Sequence, residues 1–519
     1  LKVIGNSNAN VEAIGFEKSN TSKTVDGITY QVYSHTDAPT AKLWVQQNLI
    51  VSTSIAQGFV INGENSYDCS GNSVSSAGDV NGDGLDDLII GAHMAKSASK
   101  DEAGKSYVVF GKTNATAINL SDIASNFGTG GFVINGKEAY ERSGVSVSSA
   151  GDVNGDGLDD LIVGAYYGVV DSIGKSYVVF GKTNATAINL SDIASNSGTG
   201  GFVINSEGAG DCNGHSVSSA GDVNGDGLDD LIVGAFGADS AGKNSIGKSY
   251  VVFGKTNATA INLSDIASNS GTGGFVINSE GAGDCNGHSV SSAGDVNGDG
   301  LDDLIVGAFG ADSAGKNSIG KSYVVFGKTN ATAINLSDIA SNSGTGGFVI
   351  NGENANRDSN GQSVSSAGDV NGDGLDDLII GAYMANSAGE YWAGKSYVVF
   401  GKTNATAINL SDIASNSGTG GFVINGEESN DLSGYSVSSA GDINGDGLDD
   451  LIIGAYWADS TGKSLAGKSY VIFGKTDTKA INLSDISAGR GTTAHTIDFQ
   501  GDTNTDKNDT LTGTSANEL

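Results

Sequence analysis

Proline is almost missing from this chain of 519 residues: Pro39 stands alone against 80 glycines. Turns must therefore be made by Gly, Asn and Asp rather than by a rigid ring. Cysteine is equally scarce. Cys69, Cys212 and Cys285 each stand two residues before a glycine, at one position of different repeats. Such equivalent positions are too far apart to bridge, so the three read as free thiols. No run of 18 apolar residues occurs, which removes the usual signature of a membrane-crossing helix. Few stretches suit a long amphipathic helix. Basic residues number 27 against 60 acidic, for a formal charge of −33. No basic patch exists to neutralise phosphates, which excludes nucleic acid and disfavours anionic membrane surfaces. His35, His93, His215, His288 and His495 are the only histidines. They form no Ser-His-Asp, paired-carboxylate or zinc pattern and read as structural.

What the chain does have is an acidic run, Asp-Val-Asn-Gly-Asp-Gly-Leu-Asp-Asp, five times over and once more with Ile second. The copies begin at Asp79, Asp152, Asp222, Asp295, Asp369 and Asp442, at intervals of 73, 70, 73, 74 and 73 residues. In the first, Asp79, Asn81, Asp83 and Asp87 offer side-chain oxygens at positions one, three, five and nine. Leu85 offers a main-chain carbonyl at position seven, and Gly84 permits the tight turn. This is how a loop wraps a hard divalent cation, and Ca²⁺ fits best. Without a cation, carboxylates this close repel by about 4 kcal/mol per pair at an effective dielectric near 20. Metal binding and folding are thus expected to be coupled. Six ions would bring the formal charge to about −21. The run lacks the Glu at position twelve and the flanking helices of an EF-hand; apolar strands follow instead. Position eight, Asp86 and its equivalents, is expected to point to solvent or to make bonds around the ligands.

Around each loop the pattern is that of short strands bounded by Gly, Asn and Asp. Ser73–Val80 alternates and is rich in small residues, Leu88–Ala92 is apolar, Gly104–Gly111 follows a variable polar stretch, and a constant connector, Thr113–Gly130, leads to Gly131–Asn135. Four antiparallel strands per unit of about 70 residues predict a propeller blade. Small residues suit an inner strand near the axis, and an unbroken apolar strand suits burial on both faces. The expected fold is an all-β, seven-bladed β-propeller of four-stranded antiparallel blades. Six blades carry the acidic loop. The seventh, degenerate and N-terminal, would draw on Val11–Glu17, Ile28–His35, Ala41–Ser52 and Gly58–Gly63. Six blades, or a ring closed by swapped terminal strands, are the alternatives. His495–Gly501 takes the place of the last strand of blade six. Residues 172–278 and 245–351 are one 107-residue string repeated at an offset of 73, the trace of a duplicated unit.

With loops and strands in place, the chain resembles the FG-GAP repeat proteins, the family of the integrin α-subunit propeller. Phe110-Gly111 and Gly91-Ala92 are the namesake residues. The family's Pro after Gly-Ala is absent; His93, Tyr166, Phe236, Phe309, Tyr383 and Tyr456 stand there. The resemblance implies Ca²⁺ at all six loops, about six ions. The second set is Asp152, Asn154, Asp156, Leu158 and Asp160; the third Asp222, Asn224, Asp226, Leu228 and Asp230. The fourth is Asp295, Asn297, Asp299, Leu301 and Asp303; the fifth Asp369, Asn371, Asp373, Leu375 and Asp377. The sixth is Asp442, Asn444, Asp446, Leu448 and Asp450. The tail Asn508–Asn517 is similar to the lead-in of repeats-in-toxin (RTX) nonapeptides. That likeness implies type I secretion and folding in the calcium outside the cell.

Three segments follow from this reading: 1–57, a degenerate blade or the end of a preceding domain; 58–501, the propeller; and 502–519, a linker opening into RTX-like repeats. The chain reads as part of a longer protein. Differences between copies gather in the second connection and the inter-blade link, on the face opposite the acidic loops. Tyr140, Tyr391, Trp392, Tyr435 and Trp457 lie there and are expected to be exposed and to meet a partner. No catalytic residue and no organic cofactor is expected. The function expected is a calcium-stabilised extracellular adhesion, matrix or surface-layer module, binding protein or glycan. The alternative is the non-catalytic propeller of a larger secreted enzyme acting on polysaccharide or phospholipid.

Overall fold

A computed structural model describes residues 16–25, 28–35, 42–46 and 61–487 of the chain. Within the last span it leaves out 113–116, 126–129, 168–172, 196–199, 240–245, 269–272, 313–318, 342–345, 354–357, 388, 416–419, 443–445 and 460–467. The chain divides into two compact units, Ile61–Gly489 and a second made of Leu1–Val60 with Arg490–Leu519.

The larger unit is an all-β propeller of six blades. Blade two is typical: Val147–Gly151, Asp160–Ala165, Lys175–Val179 and Gly201–Asn205 run antiparallel in that order from the inside out. Its second strand is buried along its whole length. The reason is radial packing, since the sheets of blades two to five each lie between two others. Ile89, Val108 and Phe132 of blade one meet Leu161, Val163 and Tyr177 of blade two in a single apolar cluster, and the arrangement repeats from seam to seam. Inner strands alternate small and apolar residues, with Ala77, Ala150, Ala220, Ala293 and Ala367 fully buried. Blades one and six have a described blade on one side only. They expose Val74 and Leu88, and Ile452 and Val471, at positions buried in the blades between.

Two expectations are corrected. Blades one to five are five-stranded, not four-stranded. The constant connector holds a two-residue strand and one helical turn, as at Ile188–Asn189 and Leu190–Ala194. That short strand runs parallel to the outer strand of the preceding blade, pairing Ile188 with Ile134 and Asn189 with Asn135. It covers an edge that would otherwise offer unpaired backbone groups. The Asn135 side chain donates to Asn189 across the same join at 3.3 Å, and matching pairs recur at the later seams. Blade six has three described strands, Ser433–Gly441, Asp450–Ala455 and Lys468–Ile472.

The second correction concerns number: six blades, not seven. The residues assigned to a seventh instead give a three-stranded antiparallel sheet, Phe16–Val25, Ile28–His35 and Lys42–Gln46, in the smaller unit. Ile61–Asn62 pairs with Ile118–Asn119 of the first connector. The final strand at 495–501 and the tail at 508–517 lie outside the described residues.

A buried polar clamp joins neighbouring blades. Glu280 leaves the outer strand of blade three, and one of its oxygens accepts from Lys321 Nζ at 2.6 Å and Tyr323 Oη at 2.5 Å, both on the third strand of blade four. Glu64, Glu207, Glu353 and Glu427 repeat it with Lys105 and Tyr107, Lys248 and Tyr250, Lys395 and Tyr397, and Lys468 and Tyr470. At the remaining seam Lys137 occupies the Glu position. There Glu141, one methylene longer than the Asp found at its equivalents, reaches Tyr177 Oη at 2.6 Å. The acceptor for the buried hydroxyl is thus kept by a paired exchange.

Candidate metal centres

Each acidic loop is the hairpin between an inner strand and the second strand. In blade two the strands close on the pair Gly151–Asp160, after a bulge at Ser149–Gly151. Gly155 and Gly157 take φ of 76° and 87°, a region closed to most side chains, and so turn the chain back on itself. The Asp152 carboxylate fills the concave side of the turn. Its oxygens accept from the amides of Gly155 at 2.7 Å, Asp156 at 3.1 Å and Gly157 at 2.9 Å. Asp156 accepts from the Leu158 amide at 3.0 Å. At the far end the Asn154 amide nitrogen faces both oxygens of Asp160, at 3.1 and 3.0 Å, and the Gly181 amide donates to the same carboxylate at 2.8 Å. The loops at Asp79, Asp222, Asp295 and Asp369 repeat these bonds. In the sixth, Asp442 and Asp446 keep them, while Asn444 lies outside the described residues.

The electrostatics divide the ligand positions. Position one of the first loop, Asp79, sits below the usual carboxylate range: burial opposes its charge, but the amides of Gly84, Asp83 and Gly82 outweigh that. Position nine behaves oppositely. Asp87 is pushed up to about 6, and Asp160, Asp230, Asp303 and Asp377 to about 7. Burial is the main cause, and repulsion from the Asp residues at positions five and one of the same loop adds to it. These side chains are fully buried, and the donors that reach Asp160 are the Asn154 amide and the Gly181 backbone rather than a basic side chain.

A fully buried carboxylate flanked by two more carboxylates calls for a cation. The donor set of three Asp, one Asn amide and one main-chain carbonyl has the hard-oxygen chemistry of calcium rather than of zinc or copper. No group of three such side chains converges closely enough to hold an ion among the described residues. The cause is visible in the bonds: position one is turned to its own loop's amides, and position three presents its amide nitrogen to position nine.

Position eight was read as solvent-facing or as bonding around the ligands. The structure gives it a definite partner in the preceding blade. Asp159 reaches the Asp79 amide at 2.7 Å, Asp229 the Asp152 amide at 2.8 Å, and Asp302, Asp376 and Asp449 the amides of Asp222, Asp295 and Asp369, each at 2.9 Å. A partner about 80 residues earlier leaves no local trace, although the invariant Asp-Asp pair marked the position.

On the opposite face the second connections meet the inter-blade links. The Tyr140 amide donates to Asp101 O, and Arg142 pairs with Glu102 at 2.8 Å. Tyr140, Tyr391, Trp392, Tyr435 and Trp457 are all exposed, as expected. Tyr435 stacks on Tyr456 at 5.0 Å. His215 and His288 are largely buried in an aromatic seam with Tyr166, Phe236 and Phe309. The cysteines are unbridged, with φ of 54° to 56°. No helix of the described residues is long and apolar enough to cross a membrane.

Comparison with known proteins agrees with this geometry. The FG-GAP repeat profile matches residues 70–109, 143–179, 213–252, 286–325, 360–399 and 433–472, one match per blade. Integrin alpha-5 of Xenopus laevis is 30% identical over 201 residues, 37% of this chain and 17% of that protein. Integrin alpha pat-2 of Caenorhabditis elegans is 29% identical over 282 residues, 53% of this chain and 21% of that protein. Integrin alpha-V of Gallus gallus is 34% identical over 166 residues, 31% and 14% respectively. The chain therefore spans about a fifth or less of the length of these curated relatives.

Proposed function

For a chain that carries six FG-GAP repeats on an integrin-like β-propeller, we propose a calcium-stabilised extracellular adhesion module that binds protein or glycan on a cell surface or matrix. The observation that carries the reading is the buried position-nine carboxylate repeated from loop to loop, pushed towards neutrality beside two further Asp. Positions one, three, five, seven and nine of each loop would hold the ion, from Asp79, Asn81, Asp83, Leu85 and Asp87 through to the set ending at Asp450. A bound ion would supply the positive charge those carboxylates lack. The loop amides already hold the turn, so binding acts chiefly to stiffen the hairpin between inner and second strands.

The partner would meet the opposite face, where copies differ and the aromatics are exposed. Large amphipathic rings on otherwise polar loops make contact area at small entropic cost. With a formal charge of −33, the surface favours neutral or cationic partners over polyanions. On this reading the chain stays loose where calcium is scarce and sets outside the cell, in keeping with secretion. The test is a glycan-array and cell-binding screen with calcium and with chelator. Saturable binding that is lost on chelation and on alanine substitution of Tyr391, Trp392, Tyr435 and Trp457 is expected. Binding indifferent to both treatments would refute it.

A further inference from the structure

We propose that the position-eight aspartates are struts that make neighbouring loops bind calcium cooperatively; this rests on the calcium reading above. Asp229 lies between Leu228 and Asp230, two ligand positions of loop three, yet its carboxylate holds the first amide of loop two. Whatever orders loop three therefore sets the strut on loop two. Two more joins follow the same path. The Asp229 amide returns a bond to Asp152 O at 3.3 Å, and Lys255 N donates to Val153 O at 2.7 Å. The Leu228 side chain packs so closely on Gly155 that an added Cβ would lie 2.9 Å from it. Space for the strut is built in as well. A Cβ on Gly78, Gly151, Gly221, Gly294 or Gly368 would come within 2.2 to 2.3 Å of the strut carboxylate. All five loop-to-loop joins share this design, from Asp159 to Asp449.

Coupling of this kind is reciprocal: an ion in either loop favours the ordered form of both. The aspartates are positioning residues, since the bonds they make are to backbone amides and not to a ligand.

The experiment is a calorimetric calcium titration of the full chain after chelator stripping. The parent is expected to bind with a Hill coefficient clearly above one. Replacing Asp159, Asp229, Asp302, Asp376 and Asp449 together by Ala is expected to lower it to about one with the ion count unchanged. The matching Asn set keeps an acceptor oxygen and is expected to retain cooperativity. Should the Ala set not fold, a local readout replaces it. Asp222→Ala with Asp226→Ala, which disables loop three, is expected to speed hydrogen exchange at the Asp152 amide about tenfold in calcium. Independent binding in the parent, an unaltered Hill coefficient in the Ala set, or an unaltered Asp152 amide would overturn the inference while leaving calcium binding intact. Failure of the parent to bind any ion would instead overturn the calcium reading, and this inference with it.

Discussion

Glu280→Ala tests how the blades are held to one another. One carboxylate oxygen anchors the Lys321 ammonium at 2.6 Å and the Tyr323 hydroxyl at 2.5 Å. Lys321 is 7% exposed and Tyr323 fully buried, so neither group can turn to water when the partner is removed. Burial and the adjacent carboxylate already push the Tyr323 hydroxyl far above its ordinary value. Stripping one partner from a buried ion pair costs about 3–5 kcal/mol. The Glu side chain is about one-third exposed, at 32%, and water entering its place would screen part of that loss, which brings the expectation to about 2–4 kcal/mol. Tyr323→Phe removes a donor and leaves the ion pair, for about 1 kcal/mol. The apolar triple Glu280→Leu, Lys321→Met, Tyr323→Phe is expected within about 1–2 kcal/mol of the parent, because no buried charge is orphaned. A repeat array need not unfold in one step, so the assay is hydrogen exchange over Lys321–Val325 in calcium-saturated protein, backed by urea denaturation. The reasoning fails if Glu280→Ala costs under 0.5 kcal/mol, or if the apolar triple costs as much as the single substitution.

Gly221→Ala is expected to lose about 2–4 kcal/mol, because φ is +69° and the new Cβ would sit 2.3 Å from the Asp302 carboxylate; urea midpoints against Gly227→Ala, which meets no neighbouring atom, check it. His288 titrates at about 4 in the fold against 6.5 for an ordinary histidine, through burial and then the nearby His215, so the unfolded chain binds more protons between those values. Stability contributed by the neutral imidazole is whole above pH 6.5 and lost as pH falls towards 4, by roughly 3 kcal/mol; His215→Gln with His288→Gln should flatten that part of the stability profile. Thiol titration of native protein should find Cys69 reacting first and the half-buried Cys212 and Cys285 later, with no mass gain on reduction; a bridge detected by mass spectrometry would contradict the fold.

Much of this was legible in the chain because the repeats are so alike. The Leu-Ile-Val-Gly-Ala run announced a strand covered on both sides, and Leu161–Ala165 are indeed buried throughout. The acidic loops fell where expected, at the hairpin between inner and second strands. What was not legible depended on residues far apart in sequence. The Asp229 strut, the Glu280 clamp and the pairing of Ile188 with Ile134 all cross from one blade to the next. A two-residue strand followed by one helical turn is also too short for any periodicity to show. The seventh blade was inferred from four strand-like runs, but those residues gave three strands in a separate unit. One signal for the clamp was in plain view: Lys and Tyr recur two residues apart in every Gly-Lys-Ser-Tyr run, and Glu recurs after five of the six preceding Asn-Gly or Asn-Ser pairs.

The central claim is most directly tested by counting metal on the purified chain. Protein dialysed against calcium and then desalted should carry about six ions by atomic emission, and substitution of both Asp160 and Asp230 by Ala should remove about two. An unaltered protein that leaves the column with no calcium, yet unfolds at the same urea concentration with and without the ion, would contradict the account.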